Sequence, residues 1–293
     1  MKHLRIYTAI GLCLILAMPI FPNGLSNLGH FFTVGTSLGY SNIFEDYPNL
    51  HTTGATGGTF GINYELRKKT FVFTTGLEGQ FVTSNSLFSV TGIDTHIYDT
   101  QGKIAIMHYQ TGDIVEKVRL FYTAIPIMFG YYNYGLFVGG GVKIGIPTFP
   151  AVKCQYSYTT SATYSEYIDD FVNMNNHHYG AYDRLSNYQM KVPVKYSIIM
   201  EIGYNVLNKM ISGVQDHHHG LRISAICEYG INNLANTSDS RPLYEINPTN
   251  ATELTILPYY ATHSSNNQHI NHFYAGIKIT WTFRASKGDC NCD

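Results

Sequence analysis

The sequence is poor in charge. Asp, Glu, Lys and Arg make up 13% of its 293 residues, about half of the ~25% that is typical of a soluble domain. The formal net charge is −1, and no run of basic residues supplies the positive field that binding to nucleic acid requires. We therefore expect no nucleic-acid partner.

Long apolar runs are also missing beyond the N-terminus, where no stretch reaches the roughly 20 apolar residues of a transmembrane helix. At the N-terminus, Lys2 and Arg5 precede an apolar segment over residues 6–20, and no further charge follows until Glu45. A short apolar core behind a positive start is typical of a cleaved export signal. We predict a signal peptide over residues 1–26.

Cysteine is scarce as well. Four of the five cysteines lie beyond the predicted signal, too few for a disulfide scaffold at this length. Cys227 falls on the apolar side of its predicted strand, which suggests a small hydrophobic residue. Cys290 and Cys292 have no companion at the spacing of a zinc site. The glycines recur inside strands rather than before a helix, unlike a phosphate-binding loop, so we predict no metal and no cofactor.

What the sequence does have is alternation. In the last apolar run, His272 to Phe283, Phe273, Ile277 and Trp281 share one parity while Lys278 lies on the other. Successive side chains of a strand point to opposite faces, so this run predicts a strand with one apolar and one mostly polar face. Its length matches the roughly 9–11 residues with which a tilted strand crosses a bilayer.

Seven earlier segments show the same period and are predicted strands: 32–40, 59–66, 71–81, 118–132, 136–146, 192–204 and 221–231. The connections alternate between short and long, the long ones being 41–54, 84–117, 147–190 and 232–270. In a transmembrane barrel, short turns face the periplasm and long loops face outside. We predict an all-β, eight-stranded antiparallel up-and-down transmembrane β-barrel over residues 27–283, with a periplasmic tail at 284–293.

A soluble barrel would show similar alternation but would turn its bulky side chains inward. The other parity, rich in Gly, Thr and Ser, makes a poor face toward water and suits the narrow interior of an eight-stranded barrel. Backbone groups in hydrocarbon must also be paired within the protein, which requires a closed sheet. The outer membrane is therefore the predicted location.

The segment Tyr122-Thr-Ala-Ile-Pro-Ile-Met-Phe129 resembles the Ile-Pro-aliphatic fourth strand of the PorT-like family of bacterial outer-membrane barrels. The Gly276-Ile277-Lys278 pattern of the last strand also fits that family, and the resemblance covers about 30–283. It implies an eight-stranded barrel and, for some members, a role in protein secretion. The long inserts at 147–190 and 232–270 depart from the family's pattern.

Eight ionisable residues are predicted to face the barrel interior. They are Glu65, Glu78, Glu201 and Glu228 against Lys143, Lys195, Arg222 and Lys278. Charges in a narrow, poorly solvated space persist only when they are paired. We predict an ion-pair network that plugs the lumen. The alternative is a charged translocation path, but water-filled channels are built from about 16 strands.

The loop between Pro147 and Met190 holds seven tyrosines among Asn, Ser and Thr: Tyr156, Tyr158, Tyr164, Tyr167, Tyr179, Tyr182 and Tyr188. Tyrosines with small polar neighbours can form an adaptable recognition surface, or they can simply pack a long loop above the barrel. Both interpretations stay open. Asp169, Asp170, His177 and His178 share this loop, but no motif fixes a catalytic geometry, so we do not predict an enzyme.

The functional prediction is a non-enzymatic surface-binding or structural role through these loops. The partners that it implies are outer-membrane lipid and a protein or glycan ligand. The alternative is a component of a secretion apparatus that acts through contacts with partner proteins.

Overall fold

The computed structural model describes residues 29–45, 50–68, 70–90, 92–98, 104–164, 171–172, 179–189, 192–206, 219–234, 243–247, 250–258 and 270–284. The predicted signal peptide (1–26) and residues 285–293 of the predicted C-terminal tail lie outside the described residues, whereas Arg284, predicted as the first residue of that tail, belongs to the last strand. Among the described residues, no helix is long and apolar enough to span a membrane.

The described chain forms fifteen strands. In order they are β1 (Gly29–Glu45), β2 (His51–Lys68), β3 (Phe71–Phe88), β4 (Ile93–Tyr98), β5 (Ile104–Thr111), β6 (Ile114–Asn133), β7 (Leu136–Pro147), β8 (Ala151–Tyr164), β9 (Phe171–Val172), β10 (Ala181–Gln189), β11 (Lys195–Asn205), β12 (His219–Gly230), β13 (Tyr244–Ile246), β14 (Leu254–Ile256) and β15 (Ile270–Arg284).

Eight of these strands pair in a ring. Following antiparallel neighbours from β1 leads through β2, β3, β6, β7, β11, β12 and β15, and β15 pairs again with β1. These are the eight segments that the sequence predicted as strands. The prediction of an all-β antiparallel structure is confirmed. We call the end with the short connections the turn end and the opposite end the loop end.

Close strand packing in the ring depends on glycine at a few points. A Cβ added to Gly141 would lie 2.0 Å from the carbonyl oxygen of Ile127 on β6, so this contact requires glycine. The β6–β7 turn at Tyr134 and Gly135 has positive φ at both residues, 47° and 86°. A two-residue turn of this kind follows the natural twist of a hairpin.

The remaining strands form an extension beyond the loop end. β8 pairs with the first residues of β6 and also with β5 and β10, while β4 pairs with β5. The small hairpin β13–β14 is a separate two-stranded sheet. The predicted loops therefore need correction. β1 continues to Glu45 and β3 to Phe88, and the segments 84–117, 147–190 and 232–270 contain strands of their own.

A second correction concerns the sixth predicted strand, which the sequence predicts over residues 192–204. The structure begins β11 at Lys195. Pro193 stands just before this point, and proline cannot donate the backbone hydrogen bond that a ladder position needs.

The hydrophobic face reverses along β6. Near the turn end the apolar side chains Phe129, Ile127 and Ile125 point outward, in agreement with the prediction. Beyond Phe121 the outward positions carry Arg119, Lys117 and the partly exposed Val115, and the buried positions carry Leu120, Val118 and Ile114. β8 continues the second pattern, with alternate positions such as Val152 and Cys154 buried. The ring strands and the extension therefore have opposite hydrophobic arrangements.

Candidate functional site

The interior of the ring contains a continuous chain of ion pairs, and the turn end holds its first members. Glu65 accepts hydrogen bonds from Arg67 at 2.7 Å and from Arg222 at 2.8 Å. The Arg67 guanidinium also lies 4.3 Å from the ring centre of Phe31, and that of Arg222 lies 4.1 Å from that of Phe137. These cation–π contacts pack aromatic rings against the charges.

Arg222 connects this pair to the middle of the ring. Its Nε atom lies 3.2 Å from Glu201, which also contacts Lys278 at 3.3 Å. Lys278 lies between Glu201 and Glu78, at 3.3 Å from each. The hydroxyl of Ser224 donates a further hydrogen bond to Glu201.

The chain ends near the loop end. Lys143 lies 2.8 Å from Glu78 and 3.1 Å from Glu228, and Glu228 lies 2.6 Å from Lys195. Glu228 also accepts hydrogen bonds from Gln80 and Ser197. This carboxylate is thus surrounded by two cations and two neutral donors.

The structure brings all eight predicted interior residues into this one chain, with cations and carboxylates in strict alternation from Arg67 to Lys195. All eight are buried. Four neighbours of these residues are not among the predicted members: Arg67, Asn63, which donates to Glu78, Gln80, and His272, whose ring lies 3.9 Å from Glu228. The alternation of the strands does place Asn63, Gln80 and His272 on the inward side, where the structure has them.

Apolar residues complete the interior. Met128, Ile199, Ile226 and Tyr274 form a buried cluster within the ring. Toward the loop end a second cluster follows: Ile43, Val82, Val118, Leu120, Tyr122, Val152, Leu234 and Ile270. The Nζ atom of Lys195, the last member of the ion-pair chain, lies 4.8 Å from the ring centre of Tyr122. The charged interior is therefore followed by an apolar layer before the extension begins.

In the extension, tyrosine hydroxyls hold the edge of β14. The hydroxyl of Tyr158 donates to the carbonyl of Thr252 and accepts from the amide of Leu254, both at 3.2 Å. Tyr156 does the same with Leu254 and Ile256, again at 3.2 Å. Burial raises the pKa of Tyr156, which keeps its hydroxyl protonated and able to donate. Two side chains thus replace a neighbouring strand.

These contacts bear on the two interpretations of the seven tyrosines. Tyr156, Tyr158 and Tyr179 are buried in the apolar core of the extension, so for them the packing interpretation is supported and a place on a free recognition surface is not. Tyr164, Tyr182 and Tyr188 are partly buried. Tyr167 lies outside the described residues.

We predict that Tyr158→Phe loosens the β13–β14 hairpin without unfolding the ring. The change leaves the Leu254 amide and the Thr252 carbonyl without their partner, a loss of about 1–3 kcal/mol for buried groups. Hydrogen exchange at the Leu254 amide should accelerate by roughly 5- to 150-fold. Tyr134→Phe, at the exposed β6–β7 turn, is the control. Unchanged exchange at Leu254 would contradict the role of the hydroxyl.

The other candidate residues add no site. Asp169, Asp170, His177 and His178, weighed for catalysis, lie outside the described residues, as do Cys290 and Cys292. Within the described ranges, no group of three or more His, Cys, Asp or Glu side chains is placed to hold a metal ion. Cys227 is exposed on the outward face of β12, and Cys154 is buried.

Comparisons with known proteins give distant structural similarities. No protein-family model matches the sequence, and no curated protein is significantly similar to it. Ail, the attachment invasion locus protein of Yersinia pestis, solved with the heparin analogue sucrose octasulfate, has 10% identity and a TM-score of 0.31, covering 86% of this chain and 99% of its own. Neisserial surface protein A has 6% identity and a TM-score of 0.33, covering 88% and 99%. With TM-scores below 0.5, these similarities establish neither the family nor the function of this chain. The resemblance to the PorT-like family stays a prediction.

Proposed function

We propose that this chain is a non-enzymatic outer-membrane protein: an eight-stranded barrel with a plugged interior that displays the extension at the cell surface as a binding or structural element. The observation that carries the proposal is the reversal of the hydrophobic face along β6. One continuous strand turns apolar side chains outward over its second half and inward over its first half. The change has a simple physical cause if the surroundings change from hydrocarbon to water at Phe121.

The exposed apolar surface of the ring supports this location. Leu38, Ile62 and Ile277 are 63%, 61% and 63% exposed, and Leu38 lies directly opposite Ile277 on the neighbouring strand. A contiguous apolar surface of this kind is rare on soluble monomers and marks a membrane or an interface.

Aromatic residues lie where membrane boundaries would be. Phe71, Phe129, Tyr131, Trp281 and Phe283 are exposed near the turn end, and Phe60, Phe81 and Phe149 are exposed near the loop end. On β6, ten residues separate Tyr131 from Phe121, which in a tilted strand spans roughly the 25 Å of an apolar band between aromatic girdles.

The ion-pair chain favours a plugged interior over a translocation path. Each of its four carboxylates contacts two cations, and the apolar layer follows at the loop end. A water-filled path would have to pass both. The interior of an eight-stranded barrel has room only for side chains.

Reconstitution tests the location and the plug together. Protein folded into phosphatidylcholine vesicles should stay with the vesicles after extraction with alkaline carbonate, and it should show no ion conductance in a planar bilayer. Release by carbonate would contradict the membrane location. Large conductance steps from protein that remains inserted would contradict the plug alone.

The role of the extension is tested by removing its central strands β8, β9 and β10. Lys195 pairs with Gly145, so a short Gly/Ser linker can replace residues 151–189 without crossing a long distance. The shortened protein should still insert into vesicles. On protein and glycan arrays, it should no longer bind the ligands that the full chain binds. Equal binding by both proteins would contradict a binding role. Stoichiometric co-purification of periplasmic or membrane partners with the full chain would favour the secretion apparatus instead.

A further inference from the structure

Three exposed cations meet on the outward face of the sheet where β6 pairs with β8. Lys117 lies directly opposite Lys153, and Arg119 follows two residues along β6, opposite Ala151. All three side chains are exposed. We call Lys117, Arg119 and Lys153 the cationic cluster. It is assembled only by folding, because Lys153 lies far from the other two in the sequence.

Nothing in the described part of the chain neutralises the cationic cluster. None of its members forms an ion pair there, in contrast to every interior cation. Like charges directly opposite each other across two strands destabilise a sheet. The stability of the fold therefore does not explain why Lys117 and Lys153 face each other. A bound ligand of opposite charge does explain it.

Acidic residues on the same face lie farther from the ring. Asp183 on β10 is opposite Ser157, four residues beyond Lys153 along β8, and Asp113 precedes Lys117 by four residues. Both are exposed. Positive charge is thus concentrated on the part of this face nearest to the ring, and negative charge lies farther out.

Two aromatic side chains indicate how far the cationic cluster lies above the apolar surface of the ring. Phe121, the outward aromatic residue of β6 at which the reversal begins, packs against exposed Phe149 at 6.3 Å between ring centres. Arg119 is the next outward residue toward the loop end. In a tilted strand, two residues correspond to about 5 Å, which is the level of lipid headgroups above an apolar band.

We propose that the cationic cluster binds the phosphorylated headgroup of a lipid in the outer leaflet. Arg119 offers a planar fork of donors to phosphate oxygens, and the two lysines add mobile charges. The amides on either side, partly exposed Asn85 opposite Lys117 and exposed Asn187 opposite Lys153, can donate to the same oxygens. The inference rests on the proposed membrane location. It adds that an anionic lipid binds at one defined place on the protein.

Native mass spectrometry of the full chain in neutral detergent, titrated with lipid A, tests the proposal. The variant K117Q/R119Q/K153Q should bind lipid A about 100-fold more weakly, given roughly fivefold for each cation at a membrane surface. The control K68Q/R184Q/R284Q removes three exposed cations elsewhere and should bind like the original chain. Equal weakening in both variants would show a general charge effect and overturn the proposal.

A second variant separates binding from folding. Lys153→Glu places an acid opposite Lys117, so its melting temperature should stay the same or rise while its affinity for lipid A falls. A fall in both would mean that the cluster is structural. Competition by millimolar inorganic phosphate, or tighter binding of a sulfated oligosaccharide than of lipid A, would assign the cluster to a soluble anion and overturn the lipid. Normal insertion with no cluster-dependent binding would overturn this inference alone, whereas failure to insert would overturn the membrane location as well.

Discussion

Replacing Glu228 with Gln is expected to destabilise the folded protein by about 3–5 kcal/mol, the usual consequence of removing one partner from a buried ion pair. Glu228 contacts both Lys143 and Lys195. Lys143 keeps Glu78 at 2.8 Å, but Lys195 keeps only neutral neighbours, the amide oxygen of Gln80 and the ring of Tyr122. The variant therefore leaves one buried cation without a carboxylate.

The single tryptophan of the chain, Trp281, reports this loss. It lies on the outward face of β15, so its fluorescence changes when the ring unfolds from lipid or detergent into urea. The free energy of unfolding from such titrations should fall for Glu228→Gln. The control Glu245→Gln removes an exposed carboxylate and should stay within about 0.5 kcal/mol of the original chain.

A double variant isolates the cause. Lys195→Met combined with Glu228→Gln removes the unpaired cation, and a buried pair replaced by residues of similar volume is often neutral in stability. The double variant should therefore recover most of the stability that Glu228→Gln loses, giving a coupling energy that is clearly different from zero. Additive losses would contradict a direct interaction between the two side chains.

The strands of the ring were predictable because each has a simple alternation over many residues. In β15, Phe273, Ile277 and Trp281 point one way and Lys278 the other, as the sequence predicts. Burial on one side of a sheet fixes the register, since a shift by one residue would turn every side chain to the wrong face. The same reasoning placed all eight interior ionisable residues on the inward side before their partners were known.

The partners themselves could not be predicted. Glu78 and Lys278 are 200 residues apart in the chain, and no local pattern connects them. Arg67 lies one residue before the end of β2, yet its long side chain reaches back to Glu65. Which carboxylate meets which cation depends on strand tilt and register around the whole ring.

The extension was missed for a physical reason that its structure makes clear. Ring strands were recognised by apolar residues on the outward parity, but beyond Phe121 the apolar residues take the inward parity. The alternation continues while its direction reverses, so a prediction that follows outward apolar residues stops before the end of β3 at Phe88 and begins after the start of β6 at Ile114. β14 is only three residues long, and tyrosine hydroxyls on β8 satisfy its edge, which sequence alternation cannot indicate.

The second large effect is expected on the outward face. Ile277 lies near the middle of β15, between the aromatic residues Phe273 and Trp281, and is exposed. An arginine at the midplane of a membrane barrel costs about 2–4 kcal/mol. We therefore expect Ile277→Arg to lower the free energy of unfolding in phosphatidylcholine vesicles by that amount, measured by Trp281 fluorescence in urea.

The matched change Tyr134→Arg introduces the same side chain at the exposed β6–β7 turn, outside the apolar band, and should have little effect. If the ring were a soluble barrel, Ile277 would face water, and its replacement by arginine would change stability by no more than about 0.5 kcal/mol. Equally small effects at both positions would thus contradict the proposed membrane location. A large effect at Ile277 alone would mean that this face of the ring meets hydrocarbon, because water offers no reason to penalise a charge at an exposed site.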